Sequence, residues 1–472
     1  VTVPDGRLAH AASLGIFDAT TIVAGSMVGS GIFLVSADIA RKTGSPGWLL
    51  AVWILAGALT VSAALSYGEL AAMFPRAGGQ YVYLREAFGP GVAFLFGWTQ
   101  LLVIQTGTIA AVAVAFARFL GGLWPGLTDA SLFGWGRFGP TPQTLAAIAL
   151  VVGLTWTNAR GLKTGKAVQN AFTVAKGFVL AGIILAALLA RSHDTSALAA
   201  EPFLGRAPWG ALGPAMVGAL FASDAWNNVT FTAGEVRDPR RNLPKSLLLG
   251  TLLVIVLYLA INVSYLSVLP IAAIAHAPSD RVASAMMDAA LGPRARTLVT
   301  LGILVSTFGC ANGLILAGAR VSYAMAHDGL FLESARRRNA RHVPGVALWI
   351  QATWASFLCL SGTYSELLDY VVFAVLLFYA ATLVGLFVLR RTRPDASRPY
   401  RALGYPYVPA GYVVVAAAVA LSLLLSSATR WQAVAGLTLV LSGVPVYVWV
   451  ARRRKNRSTA SLTGRGESID GA

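Results

Sequence analysis

The run GSMVGSGIF, residues 25 to 33, puts three glycines and two serines into nine positions of a segment that is apolar on both sides. In hydrocarbon an unpaired backbone group costs several kcal/mol, so a spanning helix breaks only where protein or a water-filled cavity covers the break. Two readings follow. Gly25 and Gly29 form a GxxxG pair, a device for close helix contact. Alternatively the helix unwinds at Gly29-Ser30-Gly31 and frees successive N–H groups at the start of a second half-helix. Such an end binds anions, carboxylates included.

The chain around this run is a membrane protein by composition. Its 472 residues are 56% hydrophobic and 12% charged, with a mean hydropathy of +0.66, outside the range of soluble domains. Apolar runs long enough to cross about 30 Å of hydrocarbon recur twelve times, at about 14–40, 47–73, 88–118, 142–158, 166–190, 209–234, 245–269, 295–325, 345–362, 364–390, 406–428 and 430–450. The expected fold is an all-α membrane protein with twelve transmembrane helices.

The formal charge of +17 invites a nucleic-acid reading, but its distribution points elsewhere. With a cytoplasmic N-terminus, most Lys and Arg fall in loops on that side, as the positive-inside rule requires. The densest patches are Arg336, Arg337, Arg338 and Arg341, then the arginines between 390 and 401, then Arg452 to Lys455. They read as topology signals beside anionic lipid. Both termini are thus expected in the cytoplasm, and no nucleic-acid partner is expected.

Cys310 and Cys359 fall inside predicted spans, and the five histidines are scattered without paired spacing for zinc. The chain has no Walker-type phosphate loop and no nucleophile elbow. Neither an enzyme nor a metal or cofactor site is expected. A channel would need a polar stripe along several helices, whereas the polar residues cluster at one depth.

The sixth span repeats the interruption. ALFASDAWNNVTF, residues 219 to 231, sets Ser223, Asp224, Asn227 and Asn228 at mid-membrane depth. Two broken helices five spans apart are what an inverted repeat of five plus five helices gives, with a substrate site between the repeats near the midplane. Freed N–H groups would hold a carboxylate and freed carbonyls an ammonium. An α-amino acid carries both, one carbon apart.

GSMVGSGIF, FPRAGGQYVYLREAFGP (74–90), VQNAFTVAK (168–176), EVRDPRRNLPKSL (235–247) and STFGCANGLILAGARVSYAMAHDGL (306–330) together resemble the amino acid-polyamine-organocation transporter superfamily. Within it, the match is to the L-type amino acid transporter group and its bacterial homologues, over residues 13 to 450. The resemblance implies a LeuT-like fold, with a five-plus-five inverted repeat, broken helices 1 and 6, and alternating access. It divides the chain into a cytoplasmic tail 1–13, a first repeat 14–190, a second repeat 209–390, two further spans in 406–450, and a cytoplasmic disordered tail 451–472.

By motif, the resemblance puts a substrate carboxylate on the backbone of Ser30 and Gly31, with Gly29 in the same substrate-binding stretch, and an ammonium on the carbonyls of Met27 and Phe221. Phe221 also serves as an outer gate, with Ser223 and Asp224 beside the substrate. Lys176 stands where sodium-coupled relatives hold an ion, with Gly25, Ser306 and Thr307 as partners. A lysine about ten residues into its span, roughly 15 Å deep, cannot easily snorkel to water. The expectation is a sodium-independent exchanger of small or neutral L-amino acids, with a proton-coupled symporter or a cationic amino acid carrier using Asp224 as alternatives. Asp224 keeps three roles open: binding a cationic side chain, bonding a small hydroxylated one, or capping freed N–H groups. Trp226 and Asn227 read as structure beside the pocket.

Arg76, Tyr81 and Tyr83 read as parts of an inner gate, Glu69 as an ion-pair partner of a basic loop, and Arg320 as reaching Asp328 or Glu235. Mammalian members of the group carry a cysteine in an outer loop that tethers a heavy chain. Residues 119–141 here have none, so no disulfide-linked heavy chain is expected, and the chain reads as a bacterial cell-membrane permease.

Overall fold

The computed structural model describes residues 14–76, 78–132, 140–160, 166–190, 202–206, 208–337, 339, 343–361 and 363–466. The expected tail 1–13, Lys163, Arg338, Arg341 and residues 467–472 lie outside the described residues.

Each of the twelve apolar runs is helical. The first is the pair α1 (Ile16–Met27) and α2 (Gly31–Thr43), bent by 43° at the break. Then come α3 (Pro46–Met73), the short α4 (Gln80–Phe88), α5 (Pro90–Gly121), α6 (Pro142–Ala159) and α7 (Lys166–Leu189). The sixth run is α8 (Trp209–Ala222) and, after a break, α9 (Asn228–Phe231). The remainder are α10 (Pro239–Val268), α11 (Ile271–Ala275), α12 (Val282–Leu291), α13 (Pro293–His327), α14 (Gly345–Ser361), α15 (Tyr364–Thr392), α16 (Tyr407–Leu425) and α17 (Arg430–Gly466). Among the described residues, eight helices are long and apolar enough to cross a membrane, or nine with the bent α1–α2 pair counted as one span. The other three runs form helices of 18, 14 and 17 residues, α6, α8 and α14. α8 is short because its span breaks after Ala222.

Proline opens five of these helices, α3, α5, α6, α10 and α13, where its missing N–H has no intrahelical partner to lose. Two of the openings match in detail. Gly89 (φ 87°, ψ −177°) precedes Pro90 of α5, and Gly292 (φ 86°, ψ −176°) precedes Pro293 of α13. Each follows a short helix, α4 or α12. These are the third and eighth runs, the positions that a five-plus-five repeat makes equivalent.

Helices α1, α3 and α10 pack together, and α8 lies along α2; α13, α5, α6 and α14 form a second group. The two breaks lie inside this assembly. Below, the side at which α1 begins is the N-side. There Leu14 bridges to the segment before α10, its N–H donating to Glu235 O at 3.1 Å and its carbonyl accepting from Arg237 N at 2.9 Å. α17 continues as helix to Gly466, past the expected end at 450 and into the expected tail. That stretch has no proline and no glycine before Gly464, so an established helix meets nothing that stops its propagation.

Candidate functional site

At the first break α1 ends at Met27 and α2 begins at Gly31. The last carbonyls of a helix lack intrahelical partners, and here each of three is met from a different helix. Lys176 Nζ of α7 donates to Gly25 O at 2.6 Å. Cys310 of α13 sets its Sγ 3.9 Å from Ser26 O. The Tyr258 hydroxyl of α10 lies 2.9 Å from Met27 O and 3.2 Å from Ala222 O. Tyr258 therefore joins the last carbonyls on both sides of the site, one from each broken helix. On the other side of the break, the N–H groups of Gly29 to Ile32 find no acceptor among the described residues, leaving the start of α2 open to an anion.

The first glycine-rich run serves both of its readings, though at different residues. A Cβ on Gly31 would lie 2.5 Å from Ala222 Cβ and 2.8 Å from its Cα. The two broken helices thus touch at Gly31. A Cβ on Gly29 would come within 3.1 Å of Cys310 Sγ. Ser30 is buried, and its hydroxyl pairs with Tyr364 OH at 3.1 Å. The Tyr364 ring meets Phe221 edge-on at 6.3 Å.

The second break is built differently. Asp224 N returns to Phe221 O at 3.1 Å, and Ala225 takes a left-handed φ of 64°. Phe221 O is thereby engaged, as Met27 O is by Tyr258. Tyr379 OH donates to Asp224 Oδ1 at 2.6 Å. Tyr379, Tyr67 and Trp226 pack as an aromatic triad with centroids 4.8 to 5.7 Å apart, so Trp226 is core beside the site, as expected. Asn227 donates to Gln80 at 3.3 Å, and Gln80 to Thr382 at 3.0 Å.

Two small cavities flank Asp224, each about 20 Å³, room for about one water. One is lined by Gln100, Gln105, Asp224, Asn227, Asn228 and Tyr379. The other is lined by Thr60, Ser223, Trp226 and Tyr412, and the buried Ser223 hydroxyl beside it has no hydrogen-bond partner among the described residues. Gln100 opens a π-turn in α5, Gln100–Ile104, and Gln105 follows it; Gln105 also donates to Leu314 O at 2.7 Å.

Lys176 is buried and meets Gly25, but the hydroxyls of Ser306 and Thr307 do not join it. Thr307 bonds back to Ile303 O at 2.9 Å, the usual recourse of a helical hydroxyl. Ser306 Oγ is buried without a hydrogen-bond partner among the described residues. Tyr258, the π-turn and Tyr379 were not anticipated, since aromatic and amide residues in apolar helices look like packing.

The ends of the assembly are tied by charge. On the N-side, Tyr81 OH donates to Asp328 at 2.8 Å and Arg85 pairs with the same carboxylate at 2.5 Å. Burial works against the Arg85 charge, but Asp328 more than offsets it and holds the guanidinium pKa above its ordinary value. Arg320 reaches Glu235 at 3.2 Å. Tyr83 is buried against Tyr67, while Arg76 is exposed. Glu69, fully buried, accepts from Arg390 at 3.0 and 2.6 Å and from Ala402 N at 2.7 Å, and it lies in ion-pair range of Arg398 at 3.2 Å. On the opposite side Asp280 takes Arg41 at 2.7 Å and Arg118 at 3.1 Å. No group of three metal-ligating side chains occurs among the described residues.

A family profile described as "Amino acid permease" matches residues 14–450. The b(0,+)-type amino acid transporter 1 of Mus musculus is 31% identical over 439 residues, covering 92% of this chain and 87% of that protein. The serine/threonine exchanger SteT of Bacillus subtilis is 29% identical, over 93% of this chain and 97% of its own. The Asc-type amino acid transporter 1 of Homo sapiens is 27% identical, over 99% and 89%. Paired helix breaks, a carboxylate-ready half-helix start and this coverage converge: the chain belongs to the amino acid permease family of the amino acid-polyamine-organocation superfamily, and it is a membrane transporter of amino acids, not an enzyme.

Proposed function

We propose that the chain is a sodium-independent exchanger of small or neutral L-amino acids, working by alternating access in a bacterial cell membrane with both termini in the cytoplasm. The observation that carries this reading is the bond from Lys176 Nζ to Gly25 O at 2.6 Å. It supplies a fixed positive charge at the carbonyl end of the first break, where a coupling cation would otherwise sit. The substrate carboxylate docks on the N–H groups of Gly29, Ser30 and Gly31. Its ammonium meets the carbonyls of Met27 and Phe221. The cavities around Asp224 hold about one water each, so a substrate enters only when the helices part on one side. Phe221 with Tyr364, and Tyr81 with Asp328, are the contacts that part on the two sides.

Cys310 and Cys359 are buried free thiols, which supports a permease working without a disulfide-linked heavy chain. A second reading rests on Asp224, whose carboxylate is held by Tyr379 at the edge of a polar cavity. In that reading it receives a cationic side chain.

Uptake of labelled alanine, leucine and arginine into proteoliposomes tests both. Each is measured with and without internal amino acid, a sodium gradient and a proton gradient. Uptake that requires internal amino acid and ignores sodium is the expected result. Dependence on sodium would sink the role given to Lys176, proton-driven uptake into empty vesicles would make the chain a symporter, and a preference for arginine would favour the second reading.

A further inference from the structure

Residues 336 to 341 carry four arginines that the transport site does not use. Arg337, one of the described pair, is exposed and has no acidic partner among the described residues. Its segment is nonetheless fixed. Asn339 donates to Ala159 O at the end of α6 at 2.7 Å and accepts from Val343 N at 3.0 Å, and Ala335 is buried.

Arg337 stands at the N-side mouth of a groove of about 780 Å³ between α5 and α14. That volume lies in the range of about 300–1,000 Å³ typical of pockets holding one small ligand. Leu101, Leu102, Trp349, Thr353 and Trp354 line it. A groove that is apolar along its length and cationic at one end matches an amphiphile with an anionic head.

The floor of the groove is the π-turn itself. In a π-turn the ladder slips, and carbonyls must find other donors. Leu101 O takes the Thr106 hydroxyl at 2.7 Å, and Leu102 O takes both Trp354 Nε1 at 2.7 Å and Tyr370 OH at 2.9 Å. Trp354 is therefore both a wall of the groove and a support of the turn. The same turn begins at Gln100 and leads into Gln105, which line the polar cavity beside Asp224.

We propose that this groove binds one acidic phospholipid, with an acyl chain along Leu101, Trp349 and Trp354 and the head group on Arg337, and that its occupancy governs transport through the π-turn. The lipid packs on Trp354, holds its indole on Leu102 O, and so fixes the turn that positions Gln100 and Gln105. Loss of the lipid frees Trp354 to turn toward the bilayer.

The test uses the full chain and phosphatidylglycerol as the probe. Native mass spectrometry counts the lipid retained by wild type, Arg337→Gln, Thr353→Trp, which fills the groove without touching its charge, and Arg391→Gln, which removes an exposed N-side arginine elsewhere. Exchange is then measured in phosphatidylcholine vesicles with increasing phosphatidylglycerol. One lipid is expected on wild type and on Arg391→Gln. Arg337→Gln needs about fivefold more phosphatidylglycerol for half-maximal exchange, and Thr353→Trp neither retains the lipid nor responds to it. Equal behaviour of Arg337→Gln and Arg391→Gln would mean a general surface-charge effect and overturn the site. Retained lipid with exchange indifferent to it would overturn the coupling. The mass count needs no substrate, so it stands apart from the exchanger reading.

Discussion

The two helix breaks do the same job with opposite means. At the first, between α1 and α2, the chain supplies backbone: glycines leave N–H groups free, and side chains from three other helices come to the orphan carbonyls. At the second, between α8 and α9, the chain supplies side chains, with Ser223, Asp224 and Asn227 at the turn. On the proposed reading, one break recognises what all amino acids share, and the other what distinguishes them. A substitution that disturbs the first should therefore impair every substrate alike, and one at the second should sort substrates.

The largest effect is expected at Lys176. Lys176→Met removes the cation from Gly25 O while keeping much of the volume, and hydrogen bonds to charged groups contribute about 1.5–3 kcal/mol. Exchange of every substrate should fall by tenfold or more. Retained exchange at wild-type rates would place the lysine among structural residues. Gly31→Val comes next. Its side chain would press on Ala222, and overpacking costs about 1–3 kcal/mol, so the melting temperature in detergent and the exchange rate should fall together. An unaffected Gly31→Val would break the claim that the two breaks touch there.

Tyr258→Phe is the sharper test because it removes one oxygen from two breaks at once. Met27 O and Ala222 O share the one hydroxyl proton and would lose it together, at about 1–3 kcal/mol for a buried group left unpaired. The expected signature is a several-fold rise in KM for every substrate, with a smaller change in melting temperature. A fall in melting temperature with KM unchanged would make the hydroxyl a brace with no part in binding.

Much of this was legible in the sequence, for physical reasons that vary by residue. Glycine and serine at 25 to 33 announce a break because lipid does not tolerate bare backbone, and Lys176 announces a partner because an ammonium at that depth needs one. Tyr258 gave no such signal, since a tyrosine in an apolar helix reads as packing until its hydroxyl is seen on two carbonyls. The π-turn at Gln100–Ile104 was equally silent, because the donors that meet Leu102 O in it, Trp354 and Tyr370, lie more than 250 residues away in the chain. Thr307 turns from Lys176 to Ile303 O for a general reason. A helical hydroxyl has a carbonyl of its own within reach, and sequence alone does not tell which it takes. The matched glycine-proline openings of α5 and α13 stood in the sequence at 89–90 and 292–293, but dipeptides that common carry weight only once both are seen with the same dihedral angles.

The smallest effect is expected at the most conspicuous charge. Asp224→Asn keeps an acceptor for the Tyr379 hydroxyl, now 2.6 Å from the carboxylate, and keeps the size of the side chain beside the polar cavity. If neutral substrates are held by the first break, their KM should change by less than about threefold, the low end of what one neutral hydrogen bond contributes, about 0.5 kcal/mol. If Asp224 receives a cationic side chain, lysine and arginine should instead lose tenfold or more in kcat/KM, because the site would leave an ammonium or guanidinium buried without its counter-charge. Equal losses for alanine and arginine would contradict both outcomes. That result would mean the carboxylate holds the second break in shape, and the division of labour between the two breaks would have to be abandoned.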